Sequence, residues 1–210
     1  MTSKAQFDMA IDTIRDRLLL LCNDSGPQTG VVFSLFSRVP GEGVTSLAVA
    51  LGRSVAERND LRAVLISYGV GRDSLVERLG LQVAAVTGPV SSEAPLPVVA
   101  SDITGLDCLL LDGDLPSGYA GDEGWKSWLE RVKTTYQVVI VDAGSTRSPH
   151  AGRWSRWADQ RVLVIDSRRT TEQELLRLRT DLDAQKQAID VAVMNKRRFY
   201  VPQVLYRHVN

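Results

Sequence analysis

An apolar run, Val31–Phe36, feeds directly into Ser37-Arg38-Val39-Pro40-Gly41-Glu42-Gly43, and a helical pattern opens at Val44-Thr45-Ser46. This succession of strand, glycine-bearing turn and helix constrains the fold more than any other stretch. A helix leaving a strand through so short a turn packs back on the sheet and delivers the chain to a parallel neighbour. The same turn carries chemistry. Loops of this kind hold phosphates on backbone N–H groups and on the positive end of the helix. A lysine cancels charge, and a Ser or Thr hydroxyl holds Mg²⁺. Thr45 supplies the hydroxyl here, but the lysine position is Val44. The cradle is spelled out and its charge is missing.

Periodicity places the other elements around this unit. Phe7, Ile11, Ile14 and Leu18 recur at spacings of three and four, which predicts an amphipathic helix over 4–22, ended by Asn23-Asp24-Ser25-Gly26-Pro27. Leu47, Leu51 and Val55 form the inner face of the helix after the loop, and Ala63–Ile66 is the next strand. Between Leu79 and Thr104, three prolines and three serines mark a loop-rich excursion on the surface. Asp107–Leu111, Val138–Val141 (ending in Asp142), Val162–Ile165 (ending in Asp166) and Val191–Met194 read as strands; their continuous apolar runs fit a sheet covered on both faces. One intervening helix turns Trp125, Leu129 and Val132 inward, and another, over 171–187, buries Leu175, Leu178 and Leu182. The expectation is a doubly wound α/β fold, a mostly parallel sheet flanked by helices, in one domain over 1–210. Its parts are the helix at 4–22, a core over 30–195 and a short basic tail over 196–210. Ligands of such folds bind at the carboxyl ends of the strands, where the loop at 37–45 lies.

Bulk numbers narrow the function classes. Lys plus Arg and Asp plus Glu both count 25 among 210 residues, so no global field draws the chain to nucleic acid or an anionic bilayer. Nucleic acid is not an expected partner. Cys22 and Cys108, each next to leucine, fit buried thiols better than a disulfide or metal site. His150 and His208 stand alone without ligand spacing. The start lacks the order of a secretory signal, and no run reaches the ~18 apolar residues of a membrane span, so a cytoplasmic protein is expected.

Pro40-Gly41-Glu42-Gly43 with its Thr-Ser pair, the segment Leu106–Pro116, the strand Val138–Asp142, and Val191–Asn195 followed by Lys196-Arg197-Arg198 resemble, in this order, one known group. The chain resembles the cytoplasmic kinase domain of bacterial tyrosine kinases (BY-kinases) of capsule and exopolysaccharide synthesis, P-loop proteins related to the Min and Par ATPases. The resemblance implies a nucleotide site lined by Arg38, Gly41, Glu42, Gly43, Val44, Thr45, Ser46 and, at the adenine, Asn195. Asp142 would be its residual metal carboxylate, and any Mg²⁺ would fall to Thr45 and Asp142.

The departures fall on the chemistry. The family lysine is Val44. The Asp-x-Asp pair that ends the second strand of the family, and helps to hold Mg²⁺ and activate a tyrosine hydroxyl, is Ser67-Tyr68-Gly69 here. The family's Glu-x-x-Arg-x-x-Arg ring pattern falls on Met9, Asp12 and Arg15, so a ring of the family type is not expected. The tyrosine-rich tail is reduced to Tyr200 and Tyr206. Phosphoryl transfer depends on positioning and charge cancellation, so these losses imply a pseudokinase. No confident catalytic residue and no cofactor are expected beyond weak Mg-ATP or Mg-ADP binding, with Arg38 a substitute source of charge in the loop. By the resemblance, the partner is the cytoplasmic segment of an inner-membrane polysaccharide co-polymerase or a related kinase, and membrane association comes through it. Two alternatives stay open. One is a low-activity ATP-binding tyrosine kinase or ATPase; the other is a Par-like positioning protein using Arg168, Arg169 and Lys196–Arg198. Trp154 and Trp157 read either as core cover or as a docking surface.

Overall fold

In the computed structural model the described residues are 3–22, 30–58, 61–68, 70–81, 96, 98–111, 122–184 and 187–196. Seven strands make one sheet in the order β3-β4-β2-β5-β1-β6-β7. The strands are β1 (Val31–Ser37), β2 (Ala63–Tyr68), β3 (Val98–Ala100), β4 (Leu106–Leu111), β5 (Val138–Ser145), β6 (Gln160–Asp166) and β7 (Val191–Asn195). Only the β3–β4 pairing is antiparallel among them. β1 is central, between β5 and β6, so the loop that leaves it opens between the ends of those two strands. The expected doubly wound α/β architecture is therefore present.

Six helices cover the two faces: α1 (Ser3–Cys22), α2 (Val44–Ala56), α3 (Val70–Leu79), α4 (Asp122–Thr135), α5 (Pro149–Trp157) and α6 (Glu172–Ala184). Alternation along each strand sorts its side chains between two cores. Phe33, Leu35, Leu65 and Ile140 pack with α1, α2 and α3 residues such as Leu18, Leu51 and Leu75; Val32, Phe36, Ile66 and Val141 pack with α4, α5 and α6 residues such as Trp128, Trp154 and Leu178. Each fully buried Leu, Ile or Phe contributes on the order of 2 kcal/mol.

Some sequence expectations shift. Phe7 is 51% exposed, not inward-facing, while Ile11 and Leu18 carry the α1 contact. That contact is stapled by Arg15, whose Nη1 donates to Ser54 Oγ (2.7 Å), Ser54 O (3.1 Å) and Asp12 Oδ1 (2.8 Å). Arg15 and Asp12, two of the positions aligned with the family's ring charges, are thus engaged within the chain. Helices α3 and α5 and strand β3 appear where no element was anticipated, β3 within the proline-rich excursion. In α4 the buried tryptophan is Trp128; the side chain of Trp125 lies outside the described residues. Trp154 is 1% exposed and packs edge-on to Trp128 and Trp157, so the core reading of this pair holds over the docking one. Cys108 is a buried free thiol that burial pushes up to about 12, which removes it as a nucleophile. The side chains of Cys22 and His150 lie outside the described residues. So do 112–116 of the family-like segment, Asn23–Pro27, Gly69 and the whole of 197–210 with Arg197, Arg198, Tyr200, Tyr206 and His208.

Candidate functional site

The loop between β1 and α2 turns through two left-handed glycines, Gly41 (φ 87°) and Gly43 (φ 104°). A side chain is strained at either position. Gly43 is the N-cap of α2, and Leu47 N–H donates to its carbonyl at 3.0 Å. The N–H groups of Val44, Thr45 and Ser46 come before the first bond of the helix. No side chain caps them, and no acidic residue sits in the first turn. Among the described residues no side chain satisfies the positive pole of α2. Its lysine position faces the other way: Val44 is 6% exposed and packs in the core with Leu47 and Ala48.

Asp142, near the end of β5, meets this pole. Thr45 Oγ1 donates to Asp142 Oδ2 at 2.6 Å, and Gly144 N–H donates to Oδ1 at 3.2 Å. The carboxyl is 2% exposed with no cation paired to it among the described residues. Burial pushes its pKa up, and the bonds from Thr45 and Gly144 pull down without offsetting it. Ser67 lies opposite Asp142 in the β2–β5 register, on the same face of the sheet. Its hydroxyl is fully buried without a hydrogen-bond partner among the described residues.

The outer side of the loop is satisfied in full. Glu42 is 3% exposed. Its Oε2 accepts from Val39 N–H (3.0 Å), and its Oε1 from Asp166 N–H (3.3 Å) and from the Thr170 hydroxyl. Asn195 Nδ2 donates to Glu42 O at 2.8 Å, and Asn195 Oδ1 accepts from Lys196 N–H at 2.8 Å. A Cβ at position 43 would stand 2.1 Å from Asn195 Nδ2, so glycine is required there for a second reason. Lys196 Nζ donates to Gly41 O (2.7 Å) and to Asp166 Oδ2 (2.8 Å). Lys196 and the Arg168 guanidinium hold the buried Asp166 carboxyl below the usual carboxylate range, the Lys196 bond being the main cause.

Arg38, the substitute charge, is placed elsewhere. Its Nη1 meets Glu174 Oε1 at 2.5 Å. Glu174 in turn accepts from Thr171 N–H (3.0 Å) in the capping box of α6. The Arg38 guanidinium therefore anchors the start of the loop to α6. A separate cavity of about 290 Å³ lies between α5 and α6, lined by Phe36, Ser155, Leu178 and Gln187 among others.

The structure brings only some of the residues read from the sequence together: Thr45 meets Asp142, while Glu42, Gly43 and Asn195 are joined to the ends of β6 and β7, Arg38 is drawn off to Glu174 and Val44 lies in the core. Sequence reading missed Thr170 and Glu174 outright. It also gave Asp166 and Lys196 no part in the loop, although a lone Asp closing an apolar strand and a Lys closing the next one are visible signals. Mg-ATP chemistry fits only in part. Thr45 and Asp142 match one half of a metal set, but the position that would complete it is Ser67, and the phosphate cation is a core valine. Among the described residues no group of three or more His, Cys, Asp or Glu gathers to hold a metal.

Solved structures share this fold. The VpsO kinase domain superposes with a TM-score of 0.68 at 19% identity, covering 93% of this chain and 98% of that one. The kinase domain of the Escherichia coli tyrosine kinase ETK gives 0.68 at 15%, covering 91% and 77%. The chain has the fold of the BY-kinase and Min-type P-loop proteins. The Min side is represented by the cell division protein MinD of Aquifex aeolicus, with a TM-score of 0.66 at 18% identity over 85% of this chain and 73% of that one. No family model and no curated protein matches the sequence. Within the BY-kinase and Min-type fold, the loop of this chain occupies the β1–α2 position derived above.

Proposed function

We propose that this chain is a BY-kinase-like subunit that keeps the shape of the kinase domain without transferring phosphate. It serves as a regulatory or scaffolding component of exopolysaccharide or capsule synthesis and export. One observation carries the reading: where a cation must meet the phosphate, Val44 is buried in the core, and Asp142, the carboxylate that meets Thr45, has no cation to balance it among the described residues. A charge-assisted phosphate contact is worth about 1.5–3 kcal/mol. Its loss falls on the same transition state as the loss of the carboxylates on β2, and the two act together. What remains is a surface. By the resemblance, that surface docks on the cytoplasmic segment of a membrane polysaccharide co-polymerase or on a related kinase. No helix among the described residues is long and apolar enough to cross a membrane, so docking would supply the membrane contact.

Calorimetry with Mg-ATP and Mg-ADP on wild type and on Val44→Lys tests the nucleotide half. The expected result is no heat from wild type, and binding by the revertant without tyrosine phosphorylation. Wild-type turnover of Mg-ATP would overturn it. Deleting the gene tests the other half: polymer amount or chain length should change, and unchanged polymer together with no co-polymerase in a pull-down would sink the docking role.

A second reading, a weak ATPase or tyrosine kinase, is favoured by one contact. Thr45 and Asp142, the two groups that would hold Mg²⁺, remain paired at 2.6 Å. Turnover abolished by Thr45→Ala or by Asp142→Asn would select it.

A further inference from the structure

Lys196 is the one non-glycine residue with positive φ (56°) among the described residues. A lysine in this region is strained and persists only where its surroundings hold it. What holds it is the loop: its ammonium bonds Gly41 O and Asp166 Oδ2, and its N–H bonds the side chain of the residue before it. Asn195 continues the same contact to Glu42 O, and the Glu42 carboxylate closes the circuit on Asp166 and Thr170. Both side-chain polar atoms of Asn195, the residue placed at the adenine by the resemblance, thereby have a partner inside the chain.

We infer that Asn195 and Lys196 form an internal clasp that holds the loop in its shape without a ligand, so that the surface at the carboxyl edge of the sheet is set constitutively and is not switched by nucleotide. The inference rests on the non-enzymatic reading and names its regulation: partner recognition does not wait for ATP. It also explains how a loop can keep Pro-Gly-Glu-Gly after losing its lysine. Glu42 and the carbonyls of the loop have structural partners that do not involve position 44.

Hydrogen exchange of the full chain tests the clasp. The readout is the amides that it orders: Val39 and Asp166, bonded to Glu42, and Leu47, bonded to Gly43 O. Lys196→Met should speed their exchange about tenfold, while the central strands β1 and β5 stay protected. Lys196→Gly should do the same despite relieving the backbone, and Lys196→Arg should restore part of the protection. Arg168→Met, which removes the longer 3.5 Å pair on the same Asp166, should change little. Unchanged exchange at the three amides in Lys196→Met would overturn the clasp. So would protection of the wild-type loop by millimolar inorganic phosphate or Mg-ADP that Lys196→Met abolishes, because Lys196 would then be a ligand contact. Mg-ATP turnover by wild type, with the exchange pattern as expected, would defeat the non-enzymatic reading and leave the internal clasp standing.

Discussion

Asp142 lies near the end of β5 and Asp166 closes β6, the two strands on either side of β1, and the two are buried at 2% and 0% exposure. Asp166 has an ammonium at 2.8 Å and a guanidinium at 3.5 Å, and its pKa is depressed. Asp142 has a hydroxyl and one N–H, and its pKa is raised. Desolvation is the main cause at Asp142, while at Asp166 the Lys196 hydrogen bond outweighs it. The difference separates two jobs that one loop ordinarily combines. The side that would meet phosphate has an unbalanced carboxylate and an orphaned Ser67. The side that joins the loop to the sheet pairs both Glu42 oxygens, both side-chain atoms of Asn195 and the Lys196 ammonium.

The largest expected effect comes from breaking the paired side. Glu42→Ala leaves Val39 N–H, Asp166 N–H and the Thr170 hydroxyl without their acceptor, and should lower stability by about 3 kcal/mol in urea unfolding. A loss under about 1 kcal/mol would mean that water satisfies the joint equally well.

Opposite pH behaviour follows next. A depressed folded pKa gives stability that is present above the unfolded pKa and lost as pH falls through the folded value. Asp166→Asn should therefore weaken the fold at pH 7, with the deficit shrinking in acid. A raised folded pKa works the other way: the stability is present below the unfolded pKa and lost as pH rises through the folded value. Asp142→Asn should stabilise the fold at pH 7, with the gain fading in acid. Urea midpoints across the carboxylate range check both signs, and parallel slopes for the two variants would erase the contrast.

Thr45→Val should have a smaller effect. It removes the 2.6 Å donor to Asp142 and should cost on the order of 1 kcal/mol, with Asp142 titrating still higher by NMR. Ser67→Ala should be smallest, within about 0.5 kcal/mol of wild type or slightly stabilising, since its hydroxyl has no partner to lose. A clear loss there would show a bound water or ion on the Asp142 side.

The inner strands were legible in the sequence because a sheet covered on both faces needs continuous apolar runs, and β1, β2, β4, β5 and β6 each have one; β7 has such a run too, but at the sheet edge with Ala192 and Met194 exposed. β3 escaped because three residues beside prolines carry no period. α3 escaped because Val70–Leu79 has almost no apolar stripe, and α5 because Pro149–Trp157 is only nine residues, too short for its stripe to repeat. At the site, the loss at Val44 was plain from spacing within one segment. The placement of Arg38 on Glu174 and of Lys196 on Gly41 was not, because each joins residues more than a hundred positions apart. Local pattern gives which residues reach the sheet edge. Which of them pair there depends on the order of strands.

Gly43 ends this comparison in a more general place. It is fixed by its own backbone and by the amide of Asn195 from the far end of the chain, and neither constraint involves a phosphate. A chain of this build would need that glycine whether or not it ever met a nucleotide. The glycines of such a turn testify to how the protein closes on itself; testimony about chemistry has to come from the residue that follows them.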